Sequence, residues 1–115
     1  MNKLKTEASW SDFTKLDMRI GTVLSAEIFE DARNPSIKIC VDFGDLGTKK
    51  SSAQLTVLYE PEDLIGRQVV AVVNFPKKQI ATMMSECLIL GGLGNENAVS
   101  LLQPHKPVPN GTQIG

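Results

Sequence analysis

Ile37-Lys38-Ile39-Cys40-Val41-Asp42-Phe43 alternates apolar and polar residues along its whole length. Successive side chains of a strand point to opposite faces, so the stretch reads as a half-buried β-strand. Ile37, Ile39, Val41 and Phe43 face the core, and Lys38, Cys40 and Asp42 face away. Upstream, Glu30 to Ser36 is a turn with Asn34-Pro35 as its breaker, preceded by a long strand from about Ile20 to Phe29. Simple alternation puts Ile20, Leu24, Ala26 and Ile28 on one face of that strand, and Gly21, Val23, Ser25, Glu27 and Phe29 on the other. A glycine inside a strand, here Gly21, marks a bend or a close backbone approach.

Downstream, Asp45-Leu46-Gly47 is a hairpin connection. The next strand, about Thr48 to Thr56, has only Ala53 and Leu55 for a core, so it faces water or a ligand. Val57 to Gly66 holds a short helical turn, with Pro61 suited to its first position, Glu62 and Asp63 to its positive end, and Gly66 as its stop. Arg67 to Val73 is an apolar run that argues burial on both faces. Cys87 to Leu90 and Val99 to Leu102 complete the strands. Short strands at regular intervals with one helical turn between them describe an all-β antiparallel barrel.

The 115 residues are expected to form a single domain, 1–115, with a flexible lead over about 1–9 and a proline-rich extension over about 103–115. Ser11 is the expected cap of a short helix, Asp12 to Leu16, with Trp10 in the staple position before it. A helix this short needs packing partners for Trp10, Phe13 and Leu16. Pro104, Pro107 and Pro109 keep the tail out of a sheet interior, although Val108 and Ile114 suit docking. These extensions either cap the barrel or face a second copy.

Composition excludes several classes. Formal net charge is −1, so no global basic field surrounds the chain. Cys40 and Cys87 lie far apart and His105 is the sole histidine, so neither a metal site nor a cofactor is expected. Glu60, Glu62 and Asp63 are explained by the helix start, and His105 lacks a triad partner, so the chain is not expected to be an enzyme. Gly91-Gly92-Leu93-Gly94 lacks the lysine and hydroxyl of a phosphate loop and reads as a tight turn. Met1 to Trp10 is polar with mixed charges and is not expected to be a signal peptide, and no apolar run approaches the ~20 residues of a membrane span. Asn110-Gly111-Thr112 is therefore an Asn-Gly turn rather than a glycosylation site, and the expected compartment is the cytoplasm without membrane insertion.

One local charge imbalance remains. Between Asp63 and Glu86 no acidic residue occurs, while Arg67, Lys77 and Lys78 do. The segment Asn74-Phe75-Pro76-Lys77-Lys78-Gln79-Ile80-Ala81-Thr82-Met83-Met84-Ser85-Glu86 reads as a basic loop between two strands. Together with Lys49-Lys50-Ser51-Ser52-Ala53-Gln54 it suggests a surface that meets an anion; a solvated hairpin kept soluble by its lysines is the alternative. Lysines would neutralise phosphates, and Ser, Gln and Asn would bond sugar or base edges. Few aromatics are available for stacking, which favours a folded RNA over an extended strand.

Asp12-Phe13-Thr14-Lys15-Leu16-Asp17-Met18-Arg19-Ile20-Gly21 resembles the opening of the tRNA-binding-domain family, an OB-fold group that includes the C-terminal domain of many bacterial methionyl-tRNA synthetases. Lys50-Ser51-Ser52-Ala53-Gln54, Leu64 to Pro76 and Ser85-Glu86-Cys87-Leu88-Ile89-Leu90 continue the resemblance. Pro104-His105-Lys106-Pro107-Val108-Pro109-Asn110-Gly111 is similar to a stand-alone, chaperone-like branch of that family linked to export. The resemblance implies a five-stranded OB barrel and a homodimer built from the extensions, with Trp10, Phe13, Leu16, Pro107 and Val108 at the interface. It implies a tRNA-binding face at Lys49, Lys50, Ser51, Ser52, Gln54, Asn74, Lys77, Lys78, Ser85 and Glu86, with Arg33 and Asn34 added from the first hairpin turn. Glu86 would repel phosphate, so its role there is to accept from a base or to hold the loop. Ala81-Thr82-Met83-Met84 stands where many relatives carry a glycine, which predicts a stiffer loop with exposed methionines.

Two functions follow as expectations. The chaperone-like branch implies a binder of unfolded or pre-export polypeptides, and with it contact with the secretion machinery. Phe75, Met83 and Met84 are the candidates for its apolar groove, because flexible methionine suits promiscuous contacts; ordinary packing is the competing account of these three. The alternative is a module that binds folded tRNA through the basic polar face.

Overall fold

The computed structural model describes residues 3–115; the first two residues of the expected lead over 1–9 lie outside the described residues. The elements are α1 (Trp10–Thr14), β1 (Met18–Ile28), β2 (Ile37–Asp42), β3 (Thr48–Ala53), α2 (Pro61–Leu64), β4 (Gln68–Val72), β5 (Lys78–Ile80), β6 (Met83–Ser85), β7 (Leu88–Ile89), β8 (Gly91–Leu93) and β9 (Val99–Leu101). Five strands form an antiparallel sheet in the order β3-β2-β1-β4-β7, which curls until its two ends nearly meet. This is the antiparallel barrel that the strand pattern predicts, and it is of the OB type that the resemblance implies.

β2 alternates as read, with Ile37, Ile39 and Val41 buried and Lys38, Cys40 and Asp42 half-buried. β4 is buried on both faces from Val69 to Val72. Val23, Ile37, Val41, Phe43, Leu55, Leu64 and Val69 make the centre of the core, and Leu64 reaches it from α2. Pro61 occupies the first turn of α2, and Gly66 ends the segment at φ +86°, where a side chain would be strained.

β1 departs from simple alternation. Its register with β2 shifts between Val23 and Ser25, a β-bulge at Leu24. The extra residue reverses the phase, so Ala26 and Ile28, opposite Ile39 and Ile37, join Val23 on the inward side, and Leu24 is about half exposed at the bulge. Gly21 marks a close approach: a Cβ there would lie 2.6 Å from Val41 Cγ1 and 2.7 Å from the Asp42 carbonyl oxygen.

Three other expectations change. α1 starts two residues earlier, because Ser9 and Asp12 form a reciprocal capping box: Asp12 N–H donates to Ser9 Oγ and Ser9 N–H donates to Asp12 Oδ2. Trp10 is therefore inside the helix and not a staple before it. The basic loop contains its own hairpin, β5 with β6, turning at Ala81 with φ +49°. Gly91-Gly92-Leu93 is a strand paired with β9, and the turn lies at Gly94 to Ala98. Glycine is needed at 91 because a Cβ would meet Val99 Cγ1 at 2.6 Å.

The proline-rich tail docks on its own chain. It runs beside the first half of β1, with Gly111 N–H donating to Ile20, Ile20 N–H to Thr112 and Ile114 N–H to Met18. Gln68 clamps Val108, donating to its carbonyl at 2.6 Å and accepting from its N–H at 3.1 Å. Asn110 Oδ1 accepts from Thr22 Oγ1 at 2.7 Å.

Candidate ligand-binding face

The strand registers arrange the outward face of β1, β2 and β3 in rows. Ser25 lies beside Cys40 and Cys40 beside Lys50; Glu27 lies beside Lys38 and Lys38 beside Ser52. Period-two alternation sends their neighbours the other way, so Lys49 shares the face of Val41, and Ser51 that of Ile39. The expectation of one continuous Lys49-Lys50-Ser51-Ser52 surface is thus corrected: Lys50 and Ser52 belong to this face, while Lys49 and Ser51 do not.

The β5–β6 hairpin lies over this face and creates two cavities. A groove of about 540 Å³ runs beneath it, between Ala26, Ile39, Cys40 and Lys50 of the sheet and Thr82, Met83, Met84 and Glu86 of the hairpin side. Ion pairs Lys38–Glu27 at 3.2 Å and Lys77–Glu86 at 3.6 Å neutralise charges at its margin. Lys38 also stands 5.2 Å over the Phe29 ring. A polar cleft of about 820 Å³ lies between the β1–β2 turn, the end of β3 and the hairpin. Arg33, Asn34, Ser52, Gln54, Lys78 and Ser85 line it, which brings six of the expected tRNA-face residues together. At its rim Thr82 Oγ1 donates to Asp31 Oδ2 at 2.9 Å and ties the hairpin to the β1–β2 turn.

Other expected residues are engaged elsewhere. Ser51 is buried, and its hydroxyl donates to the Cys87 carbonyl at 2.9 Å. Glu86 N–H donates to the Lys50 carbonyl at 2.7 Å, and Lys50 N–H donates to the Glu86 carboxylate at 2.9 Å. These bonds join β3 to the segment before β7, so Ser51 and Glu86 sit at the seam of the barrel. The Lys50 N–H holds the Glu86 carboxyl below its ordinary range; partial burial opposes this, and the Lys77 ammonium adds to it. Burial pushes the Cys87 thiol up to about 11. Asn74 bonds Asp17 N–H and the Lys15 carbonyl, which fixes the junction between α1 and β1.

Of the apolar candidates, Met84 is 44% exposed, whereas Met83 is buried at 9%, contrary to the expectation that both are exposed. Both line the groove. Phe75 is 46% exposed but lies on the wall of neither cavity. At the expected dimer surface Trp10 is 83% exposed and Phe13 less so, Leu16 is half-buried, Pro107 is exposed, and Val108 is held by Gln68 of its own chain. The sequence reading missed Ser25, Lys38, Cys40, Asp31 and Thr82; the polar phase of β2 was the available signal for Lys38 and Cys40. Among the described residues no cluster of His, Cys, Asp and Glu suits a metal ion.

Residues 18–113 match the family model described as a putative tRNA binding domain. The methionine–tRNA ligase of Methanococcoides burtonii is 37% identical over 106 residues, which cover 92% of this chain and 15% of that enzyme. The Leptospira interrogans ligase is 32% identical over 110 residues, 96% of this chain and 15% of the enzyme. The chain thus spans about 15% of the length of these curated relatives. Among solved structures, the crystal structure of chaperone CsaA from Bacillus anthracis superposes with a TM-score of 0.92 at 55% identity, covering 96% of this chain and all of that one. The CsaA chaperone protein of Picrophilus torridus gives 0.88 at 41% identity, covering 95% of this chain and all of that one.

Proposed function

Because the chain belongs to the tRNA-binding-domain family, we propose that it is a non-catalytic, chaperone-like protein that binds unfolded or pre-export polypeptides on that family's OB scaffold. The observation that carries this reading is the groove beneath the β5–β6 hairpin, where Met83 and Met84 provide apolar surface above Ser25, Cys40 and Lys50 of the sheet, with the ion pairs Lys38–Glu27 and Lys77–Glu86 at its margin. Methionine side chains adapt to varied apolar groups without a fixed shape, which suits clients of many sequences. The similarity to two CsaA chaperones over their whole length supports the same reading. Aminoacylation is not carried over from the synthetases.

The polar cleft favours a second activity, binding of folded tRNA. Arg33 and Lys78 supply positive charge there, and Asn34, Ser52, Gln54 and Ser85 supply hydrogen-bonding groups. OB folds bind oligonucleotides on the face of their second and third strands and in the adjoining loops, where this cleft lies. The protein works as a homodimer whose interface uses the exposed Trp10 and Phe13. It acts in the cytoplasm, where export clients pass to the secretion machinery; no described helix is long and apolar enough to cross a membrane.

The test is a side-by-side titration with bulk tRNA and an unfolded precursor polypeptide at two salt concentrations. Polypeptide binding that varies little with salt and is lost in Met84→Asp supports the chaperone reading. Steeply salt-dependent tRNA binding without polypeptide binding replaces it with the second reading.

A further inference from the structure

β1 is fully paired only as far as its bulge. From Met18 to Thr22 it has β4 on one side; on the other it has the tail as far as Ile20 and β2 from Thr22. Val23 then donates to Arg67 and accepts from Gly66. From Ser25 to Ile28 the remaining ladder is with β2. The bond from Phe29 N–H to the Ser36 carbonyl, 3.0 Å, sets the phase of that ladder. Phe29, Glu27 and Ser25 turn their main-chain groups toward β2, so Ala26 and Ile28 turn theirs to the open side. Among the described residues no strand pairs with β1 on that side.

Proteins commonly blunt such an edge with a lysine, a proline or a covering loop. Here the half-exposed Leu24 and Ile28 flank it, and the Glu27 charge is paired with Lys38. The edge also borders the groove, since Ser25, Ala26 and Glu27 form one of its walls. We propose that a client polypeptide is held as an added β-strand on the open edge of β1 at Ala26–Ile28, with its side chains on one face directed into the groove of Met83 and Met84. This rests on the polypeptide-binding reading and adds how the client is recognised. The edge offers N–H and C=O groups at strand spacing, which a polypeptide backbone matches and a phosphate backbone does not. Main-chain bonding is blind to client sequence, and the groove adds a preference for apolar side chains.

The test uses a fluorescein-labelled decapeptide of alternating leucine and serine, and two N-methylated series of the same peptide, one methylated at the odd-numbered amides and one at the even-numbered. Binding is followed by anisotropy, and amide exchange of Ala26 and Ile28 by NMR. The expected result is slowed exchange at both amides with the unmodified peptide and at least tenfold weaker binding of one N-methylated series. Ile28→Pro removes an outward N–H without breaking the β2 ladder, and should weaken binding about fivefold, the worth of roughly one hydrogen bond. Equal affinity of both methylated series, or unchanged exchange, overturns the proposal while leaving polypeptide binding in place. A change of oligomeric state in Ile28→Pro with undiminished peptide binding also overturns it, because the edge then belongs to a second copy. No binding of the unmodified peptide or of an unfolded precursor removes the polypeptide-binding reading and this inference together.

Discussion

Lys50 and Glu86 hold one another by their main chains and by one carboxylate: Glu86 N–H donates to the Lys50 carbonyl, and Lys50 N–H donates to Glu86 Oε1. The carboxylate also meets the Lys77 ammonium at 3.6 Å. A negative charge inside a basic segment is thereby explained by closure of the barrel, which the alternative role of holding the loop anticipates.

Glu86→Ala should therefore destabilise the fold at neutral pH, by about 1–2 kcal/mol, the range for a hydrogen bond to a charged group that keeps some solvent contact. The folded state holds this carboxyl below its ordinary range. Its contribution is then full above the unfolded value and is lost as pH falls through the lowered folded value. Urea unfolding of the wild type and Glu86→Ala from pH 7 down to pH 3 should give curves that converge on the acid side. A stability gap that stays constant with pH would assign the loss to packing.

Ser51→Ala removes the donor from the buried Cys87 carbonyl at the same seam. The orphaned carbonyl should cost about 1–3 kcal/mol in denaturant unfolding. Because Ser51 lies on the inward side of β3, tRNA affinity of the folded variant should be unchanged. A selective loss of tRNA binding would return Ser51 to the ligand face.

Cys87 should resist alkylation in the folded protein at pH 8. It is buried, and burial raises its thiol to about 11, so little thiolate exists to react. Iodoacetamide labelling with mass spectrometry should modify Cys87 only as fast as the barrel opens, and Ser51→Ala should accelerate it. Rapid labelling of native Cys87 would contradict a closed seam.

The strands were legible where one physical signal ruled. β2 shows its alternation in Ile37, Ile39, Val41 and Phe43, and β4 shows two-sided burial in its run of valines. β1 was read in the wrong phase beyond Val23, because a bulge leaves no mark in an alternating pattern. The candidate face was legible by residue type but not by side. Lys49 and Lys50, or Ser51 and Ser52, are equivalent in composition, and only the register with β2 separates them. Glu86 and Asn74 are polar in the sequence, but their partners lie 36 and 57 residues away, Lys50 and Asp17 respectively. No local pattern reports such a contact. The Ser9 cap was missed because Ser11 also fits a cap, and the Asp12 reciprocal bond decided between them.

That separation of faces makes a prediction for nucleic acid. Lys78 lines the polar cleft and Lys50 stands in the outward row, whereas Lys49 shares the face of Val41. Lys78→Ala should weaken tRNA binding and lower the slope of log affinity against log salt by about one unit, as loss of one phosphate contact requires. Lys49→Ala should leave the slope nearly unchanged. Equal effects of the two variants in filter-binding titrations would place the phosphate path across the barrel end.

The docked tail depends on Gln68, whose amide both donates to the Val108 carbonyl and accepts from the Val108 N–H. Its nitrogen also lies 3.1 Å from Asn110 Oδ1, which Thr22 approaches from the other side. One side chain on β4 thus anchors a segment 40 residues later in sequence. Gln68→Ala removes bonds that water can partly replace, since the site is only half-buried, so the global cost should be about 1–2 kcal/mol. The local effect should be larger: amide exchange should accelerate from Val108 through Thr112, while Val70 and Val41 in the barrel keep their protection. Gly111 N–H, bonded to the Ile20 carbonyl at 2.7 Å, reports whether the tail detaches as a unit. Fast exchange at Val108 with full protection at Gly111 would mean that the tail is held residue by residue, and that the strand-like pairing with β1 needs no clamp.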